Sequence, residues 1–351
     1  MGVFFGAFFW SAMAGIFVCC PWAMEIIDAH VHLYPPELNR DPAGWAAGHG
    51  EGHWAVLCTR ARKDGRAVQA FPSVDELLRA MDAAGVARAV LQGWYWERPG
   101  TCAWQNRFYE ACARAHPDRL RACAALHPGT GGGAADVARM RDEVRRAADA
   151  GFAGLGELSP HSQGVEAGNA ALCEALSLAG ELGLAVCLHV SEPAGGAGAR
   201  KYPGKVETPL GDFARWARMF PGTRFVLAHW GARLPLDAEW GGVAQKLGNV
   251  FYDTAASPLV YGAKKSAALW GEMAGAAGAG RILFGTDYPL ELYPGNAAGA
   301  AAGIAGLLEE ARGSGLDAAG LEAVLGGNAQ RIFWGKSRCA SDAPQVCPNT
   351  E

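Results

Sequence analysis

Eight short apolar runs alternate along this chain with segments of helical period, and that alternation leaves few folds open. The runs span 25–33, 87–94, 121–127, 154–158, 185–190, 224–230, 250–254 and 281–286. Each is apolar or β-branched and ends in Gly, Pro or polar residues, which reads as a strand. Between them lie helix-forming segments at 74–84, 106–115, 134–150, 170–183 and 212–220. Ser73 stands as an N-cap before the first of these, with Asp75 and Glu76 in its opening turn. From the second run onward, strand starts recur roughly every 30 to 40 residues, the spacing of βα units. Eight such units predict an α/β fold closed as a (β/α)8 TIM barrel. Two further helices, 297–310 and 317–333, are expected after the eighth strand.

One gap breaks the rhythm. Residues 34–71 hold Pro35, Pro36, Gly48, Gly50, Gly52 and several aromatics, with little periodicity. An insertion after a barrel strand falls on the end where barrels build their sites, so a lid or pocket wall is expected there. The domain organisation is then one barrel over 24–335, an apolar segment 1–23 before it and a disordered polar tail 336–351 after it. Segment 1–23 carries no charge. It lacks the positive n-region and clear cleavage site of a secretory signal, and Gly2, Gly6, Gly15 and Pro21 weaken it as a membrane span. The reading adopted is a translation start at Met24 and a cytoplasmic protein; a genuine 1–23 would make it anchored or exported.

Composition narrows the partners. Half of the 351 residues are hydrophobic and the formal charge is −4, a soluble balance without the basic stripe of a nucleic-acid binder. Arg139, Arg141, Arg145 and Arg146 lie among acids on one helix and read as a solvated face. The ten cysteines form no Cys-x-x-Cys pair, and Cys112, Cys123, Cys173 and Cys187 sit in apolar runs where a free thiol packs as a small hydrophobe. The expected partner is a small-molecule substrate; no nucleic acid is expected, no membrane unless 1–23 is an anchor, and a homo-oligomer is compatible with the sequence.

Chemistry concentrates at the strand ends. In Asp28-Ala29-His30-Val31-His32 the two histidines at i and i+2 share one strand face and can bind one metal together. His189, His229 and Asp287 end other apolar runs, and Glu157 ends a fourth. One buried histidine is as easily a hydrogen-bonded packing residue; a set of five strand-end positions is hard to reach by chance. Three histidines and a carboxylate suit zinc or another borderline divalent ion, as one or two ions per chain. Asp287, in Phe284-Gly285-Thr286-Asp287-Tyr288-Pro289, can serve as ligand, general base, or both. His229 is open between a second-metal ligand and a group polarising the substrate carbonyl. Glu157 is open between bridging two metals, binding one, and orienting a histidine from behind.

These segments, with Leu227-Ala228-His229-Trp230-Gly231 and the closing Leu325-Gly326-Gly327-Asn328-Ala329, resemble the amidohydrolase superfamily over about 24–334. The likeness is to its amidohydrolase-related branch, which includes aminocarboxymuconate-semialdehyde-type decarboxylases. It implies His30, His32, His189 and Asp287 as metal ligands and His229 as a catalytic or second-metal residue. One departure matters: strand four carries no lysine, and Glu157 instead resembles the strand-four glutamate of TatD-type deoxyribonucleases.

The expectation is a metal-dependent hydrolase attacking an amide, lactone or ester carbon of a small, anionic substrate with metal-activated water. Asp287 would move the proton and His229 would steady the oxyanion. The alternative is a metal-dependent non-oxidative decarboxylase; a TatD-like phosphodiesterase and a non-catalytic barrel stand behind it. Substrate contacts are expected from Lys201, Tyr202 and Lys205 in the basic loop after strand five, and from Trp230 and Tyr288. His49, His53, His127, His161 and Glu192 are weaker candidates near the same end.

Overall fold

The computed structural model of the protein describes residues 25–191, 205–207, 209–293 and 299–335. The apolar runs become eight parallel strands in sequential order: β1 Ile26–Val31, β2 Val86–Leu91, β3 Leu120–Ala124, β4 Gly154–Leu158, β5 Ala185–Leu188, β6 Arg224–Leu227, β7 Val250–Asp253 and β8 Ile282–Leu283. Backbone bonds from Ala29 N to Phe284 O (2.8 Å), Asp287 N to His30 O (2.8 Å) and His32 N to Tyr288 O (2.7 Å) join the first strand to the segment after the last. This is the (β/α)8 TIM barrel that the alternation predicts.

The strands are apolar because both faces are covered, as parallel sheets require. Every residue of β1, β4 and β5 is buried. Inside the ring, Ile27, Val90, Cys123, Cys187, Val226 and Leu283 pack with Ile332 and Phe333. Outside it, helix side chains such as Leu77, Met81, Met140, Leu172, Trp216 and Trp270 build the larger core. The helix Val74–Ala84 shows the local logic. Ser73 and Glu76 form a capping box, Leu77, Ala80 and Met81 bury one stripe, and Gly85 ends the helix at φ 72°. After β8, Asn328 is fully buried and donates to Ala279 O (2.8 Å) and Ile282 O (2.6 Å), tying the closing helical segment to the last strand.

The differences from expectation cluster at strand ends and in the insertion. β6 stops at Leu227 and β8 at Leu283, so His229 and Asp287 stand on the loops beyond their strands. The insertion is not irregular: it holds the short helices Pro36–Arg40, Pro42–His49 and Gly52–Cys58. Tertiary packing builds them, since Leu38, Trp54 and Leu57 bury against Trp94, Tyr95 and Trp96. Helices Ser257–Tyr261 and Ala263–Ala277 were not expected; the Ala- and Gly-rich sequence shows no clear apolar period there. The expected 106–115 helix begins seven residues earlier, at Pro99. Cys58, Cys102, Cys112, Cys123, Cys173 and Cys187 are free thiols. Among the described residues no helix is long and apolar enough to cross a membrane. The readings of 1–23 and 336–351 lie outside the described residues.

Candidate metal centre

His30 and His32 lie at the end of β1, and each has its ring fixed from behind. His30 Nδ1–H donates to Asp253 Oδ2 at 2.8 Å, and His32 Nδ1–H donates to Gln92 O at 2.8 Å. Both Nδ1 protons are thereby committed, and each Nε2 is left to face the site. Those two Nε2 atoms lie only 3.1 Å apart. Asp287 Oδ1 is 3.5 Å from His32 Nε2. His30, His32 and Asp287 together offer ligand atoms within 4.8 Å of one another.

Glu157, His189 and His229 make a second group, their ligand atoms likewise within 4.8 Å of one another. His229 Nδ1–H donates to Ala255 O at 3.0 Å, which again frees Nε2. His189 turns Nδ1 inward, 2.9 Å from Glu157 Oε1 and 3.2 Å from His229 Nε2. Glu157 lies between the groups. Its Oε1 faces His189 and His229 (3.5 Å), while its Oε2 faces His30 at 3.6 Å and His32 at 3.5 Å. Backbone admits this carboxylate: Gly156 sits at φ 134°, and a Cβ there would meet Cys187 O at 2.4 Å.

Lone pairs and carboxylates crowded this closely repel unless a cation lies among them, be it protons or a metal ion. The titration directions say the same. Burial works against the Glu157 anion, yet His189 and His30 outweigh it and hold the carboxyl well below its usual range. Burial likewise lowers His30, but Asp253 and Glu157 carry it well above the ordinary imidazole value. His229, also opposed by burial, is pushed up to about 9 by Glu157 and Asp287. His189 is pulled down by its burial, with His229 acting in the same direction. A set of imidazole nitrogens and carboxylates with these Nδ1–H partners fits a divalent ion that takes both ligand types, zinc favoured by the nitrogens and manganese by the oxygens.

Two buried acids hold the frame, and neither was singled out as functional in the sequence. Asp253, at the end of β7, accepts from His30 through Oδ2 and from the backbone N–H groups of His229 (3.1 Å) and Ala255 (3.0 Å) through Oδ1. Its signal was visible: Val250-Phe251-Tyr252-Asp253 delivers a carboxylate from an apolar strand, as the Asp287 segment does. Asp28 accepts from His30 N (3.1 Å), Thr286 N (3.0 Å) and Thr286 Oγ1 (2.5 Å), locking β1 to the loop that carries Asp287. Burial pushes its carboxyl up to about 6.

Glu157, His189, His229 and Asp287 form part of the wall of a cavity of about 660 Å³, within the range of small-molecule sites. The insertion walls another side with Leu57, Cys58, the stretch Arg60–Asp64, Val68 and Gln69, and Lys205 lines it as well. Two expected substrate contacts are placed elsewhere. Trp230 is fully buried, its indole edge-on to Trp270 and donating to Ser257 Oγ at 2.7 Å, so it serves the core and not the cavity. Tyr288 is 5% exposed and is not among the cavity-lining residues. Lys201, Tyr202 and Glu192 lie outside the described residues. Of the weaker candidates, His49 stacks on Trp45, His127 accepts from Gly129 N, and His161 pairs with Asp212 at 3.0 Å; none of the three lines the cavity. His53 packs by Tyr95.

A family model described as amidohydrolase matches residues 27–334. No curated protein matches the chain in sequence. Among solved structures, 5-carboxyvanillate decarboxylase from Sphingomonas paucimobilis superposes with a TM-score of 0.63 at 16% identity, covering 89% of this chain and 99% of that one. The 5-carboxyvanillate decarboxylase of Novosphingobium aromaticivorans, complexed with manganese and 4-hydroxy-3-methoxy-5-nitrobenzoic acid, gives 0.65 at 14%, covering 88% and 96%. A candidate 2-pyrone-4,6-dicarboxylic acid hydrolase from Pseudomonas putida gives 0.58 at 18%, covering 90% and 99%. At these identities the likeness establishes the barrel and nothing of the reaction.

Proposed function

The chain belongs to the amidohydrolase family, and from that premise we propose that it is a metal-dependent hydrolase of a small anionic substrate, working with two divalent ions at an amide, lactone or ester carbon. The observation that carries this reading is the position of Glu157, one carboxylate whose two oxygens face two separate ligand groups. His30, His32 and Asp287 would hold one ion, His189 and His229 the other, with Glu157 shared. When bound, such ions polarise a carbonyl and lower the pKa of water from about 15.7 to about 7.

The chain's own groups supply the rest. Asp287 borders the cavity, its carboxylate within 4 Å of both His32 and His229, placed to take a proton from the attacking water and pass it to the leaving group. The oxyanion role considered for His229 fits this geometry less well. With Nδ1–H committed to Ala255 O, neutral His229 has a lone pair at Nε2 and no proton to donate into the site. In this reading it is a ligand. Trp94, Tyr95 and Val190 give the cavity apolar walls, and Arg60, Arg62, Lys63 and Lys205 give it cationic ones, which suits a small carboxylate-bearing molecule.

The second reading is metal-dependent non-oxidative decarboxylation. Decarboxylases are more numerous than hydrolases among the structural neighbours, so by neighbours alone this reading is the better backed. It calls for one ion, leaving His189 or His229 free to move a proton. Elemental analysis of protein purified without chelator is the first test. Two ions per chain support the shared position of Glu157 and with it this form of the hydrolase; one ion overturns the two-ion centre, and the reaction is then read from its products, carbon dioxide release without incorporation of oxygen from labelled water establishing decarboxylation.

A further inference from the structure

Behind the turn that carries His229, a file of hydrogen bonds leads out of the barrel to one carboxylate. Trp230 Nε1–H donates to Ser257 Oγ at 2.7 Å, the Ser257 and Ser266 hydroxyls meet at 2.7 Å, and Ser266 Oγ donates to Glu310 Oε2 at 2.6 Å. Trp230, Ser257 and Ser266 are fully buried. The file runs one way. An indole can only donate and a carboxylate can only accept, so the proton of Ser266 goes to Glu310 and that of Ser257 to Ser266. Trp270, whose ring meets Trp230 edge-on at 5.2 Å, donates to the same Oε2 at 3.4 Å.

The other oxygen of Glu310 serves another loop. Tyr293 Oη donates to Oε1 at 2.9 Å, and burial with the carboxylate beside it pushes that phenol well up, so it keeps its proton. Tyr293 follows Asp287 on the loop after β8, where Leu290 N donates to Asp287 O at 3.0 Å. Gly303, Gly306 and Glu310, at i, i+3 and i+7, share one face of the helix Gly299–Arg312. A Cβ on Gly303 would meet Leu292 Cγ at 3.1 Å, and one on Gly306 would meet Tyr293 Cε2 at 2.5 Å. The two glycines thereby let the loop seat beside the carboxylate.

We propose that Glu310 is a positioning residue for the metal centre, holding the His229 turn with one oxygen and the Asp287 loop with the other. It touches neither residue and acts through Ser266, Ser257 and Trp230 on one branch and through Tyr293 on the other. The inference rests on the reading of His229 and Asp287 as members of that centre.

The test is amide hydrogen exchange of the metal-free full chain, read by mass spectrometry over residues 228–234 and 286–293. The amides of His229, Gly231, Asp287 and Leu290 are hydrogen-bonded, so their exchange reports opening of the two loops. Glu310→Ala should speed exchange in both segments by about tenfold and leave the helix Ala134–Asp149 within about twofold. Ser266→Ala should act on 228–234 alone, and Tyr293→Phe on 286–293 alone. Glu310→Gln keeps one oxygen for the buried Ser266 and sets its NH2 against Tyr293, so it should match Tyr293→Phe. Cobalt(II), titrated into each protein and followed by its visible absorption, should bind Glu310→Ala about tenfold more weakly than the wild type. Unchanged exchange in both segments, an equal rise in Ala134–Asp149, or undiminished cobalt affinity overturns the proposal. Should Glu310→Ala fail to fold, the Ser266 and Tyr293 variants carry the test, and exchange that does not separate by branch overturns it. Failure of the two-ion reading would show instead as one cobalt ion per wild-type chain, with the exchange pattern intact.

Discussion

Asp253 offers the sharpest test of how the metal centre is held, because its two oxygens do different work. Oδ2 takes the Nδ1 proton of His30; Oδ1 takes the backbone protons of His229 and Ala255. Asp253→Asn keeps the shape and keeps an oxygen for the backbone, but sets an NH2 against His30. The imidazole must then turn its Nδ1 lone pair to the amide and carry its proton on Nε2, the atom that faces His32 and Glu157. The first ligand group loses a donor, whereas the second does not. Loss of such an outer partner weakens metal binding by about 10–100-fold, or about 1.4–2.7 kcal/mol, close to the worth of one charge-assisted hydrogen bond. Competition with a chromophoric chelator should therefore show one site weakened by that factor and the other changed by less than about threefold. Asp253→Ala, which also releases the His229 backbone, should weaken both sites. Equal loss at both sites in the Asn variant, or no loss at either, would refute this account of the frame, provided the metal-free variant melts as the wild type does.

Three further outcomes follow from the same geometry. Glu157→Gln should lower the metal content to one ion or none per chain, read by elemental analysis; two retained ions would remove Glu157 from the shared position. In metal-free protein, His229 is raised from an ordinary value near 6.5 to about 9, so its stabilisation is complete below about pH 6.5 and lost as pH rises through about 9. Urea unfolding should show stability falling by up to about 3 kcal/mol across that window, and a flat or rising profile would contradict it. Gly326→Ala would place a Cβ 1.9 Å from Glu25 O, at the entry to β1, and should cost about 1–3 kcal/mol or more in thermal unfolding.

What was legible in the sequence was whatever depends on burial and period. Strands covered on both faces read as unbroken apolar runs, which is why all eight could be placed, and strand-end histidines stood out against them. What stayed hidden depends on contacts between distant segments. The three helices of the insertion form because their aromatics meet Trp94, Tyr95 and Trp96, and nothing local announces that. Trp230 follows His229 directly, yet its indole enters the core against Trp270 and donates to Ser257, which the sequence does not announce. Asp253 carries the same strand-end signal as Asp287, but its role behind His30 depends on a partner 223 residues away in the chain, which no local pattern announces.

The turn after β6 shows how far residue identity falls short of geometry. His229, Trp230, Gly231, Ala232 and Arg233 all take positive φ, between 49° and 61°, a left-handed turn in which only Gly231 escapes a steric penalty. At about 1–2 kcal/mol for each non-glycine residue, that conformation cannot persist on local preference. It is held by contacts at both ends. The His229 amide donates to Asp253, Tyr261 Oη donates to His229 O at 3.1 Å, and the Trp230 indole anchors on Ser257. Gly231 leaves room for Tyr252, whose ring would lie 2.7 Å from a Cβ. Asp287 is at φ 63°, so two of the six residues of the candidate centre stand on strained backbone. Strain at such positions persists only where the surroundings over-determine it. Here Asp253 and Asp28 do that, which makes the acids behind the centre as much a part of its construction as the ligands they hold.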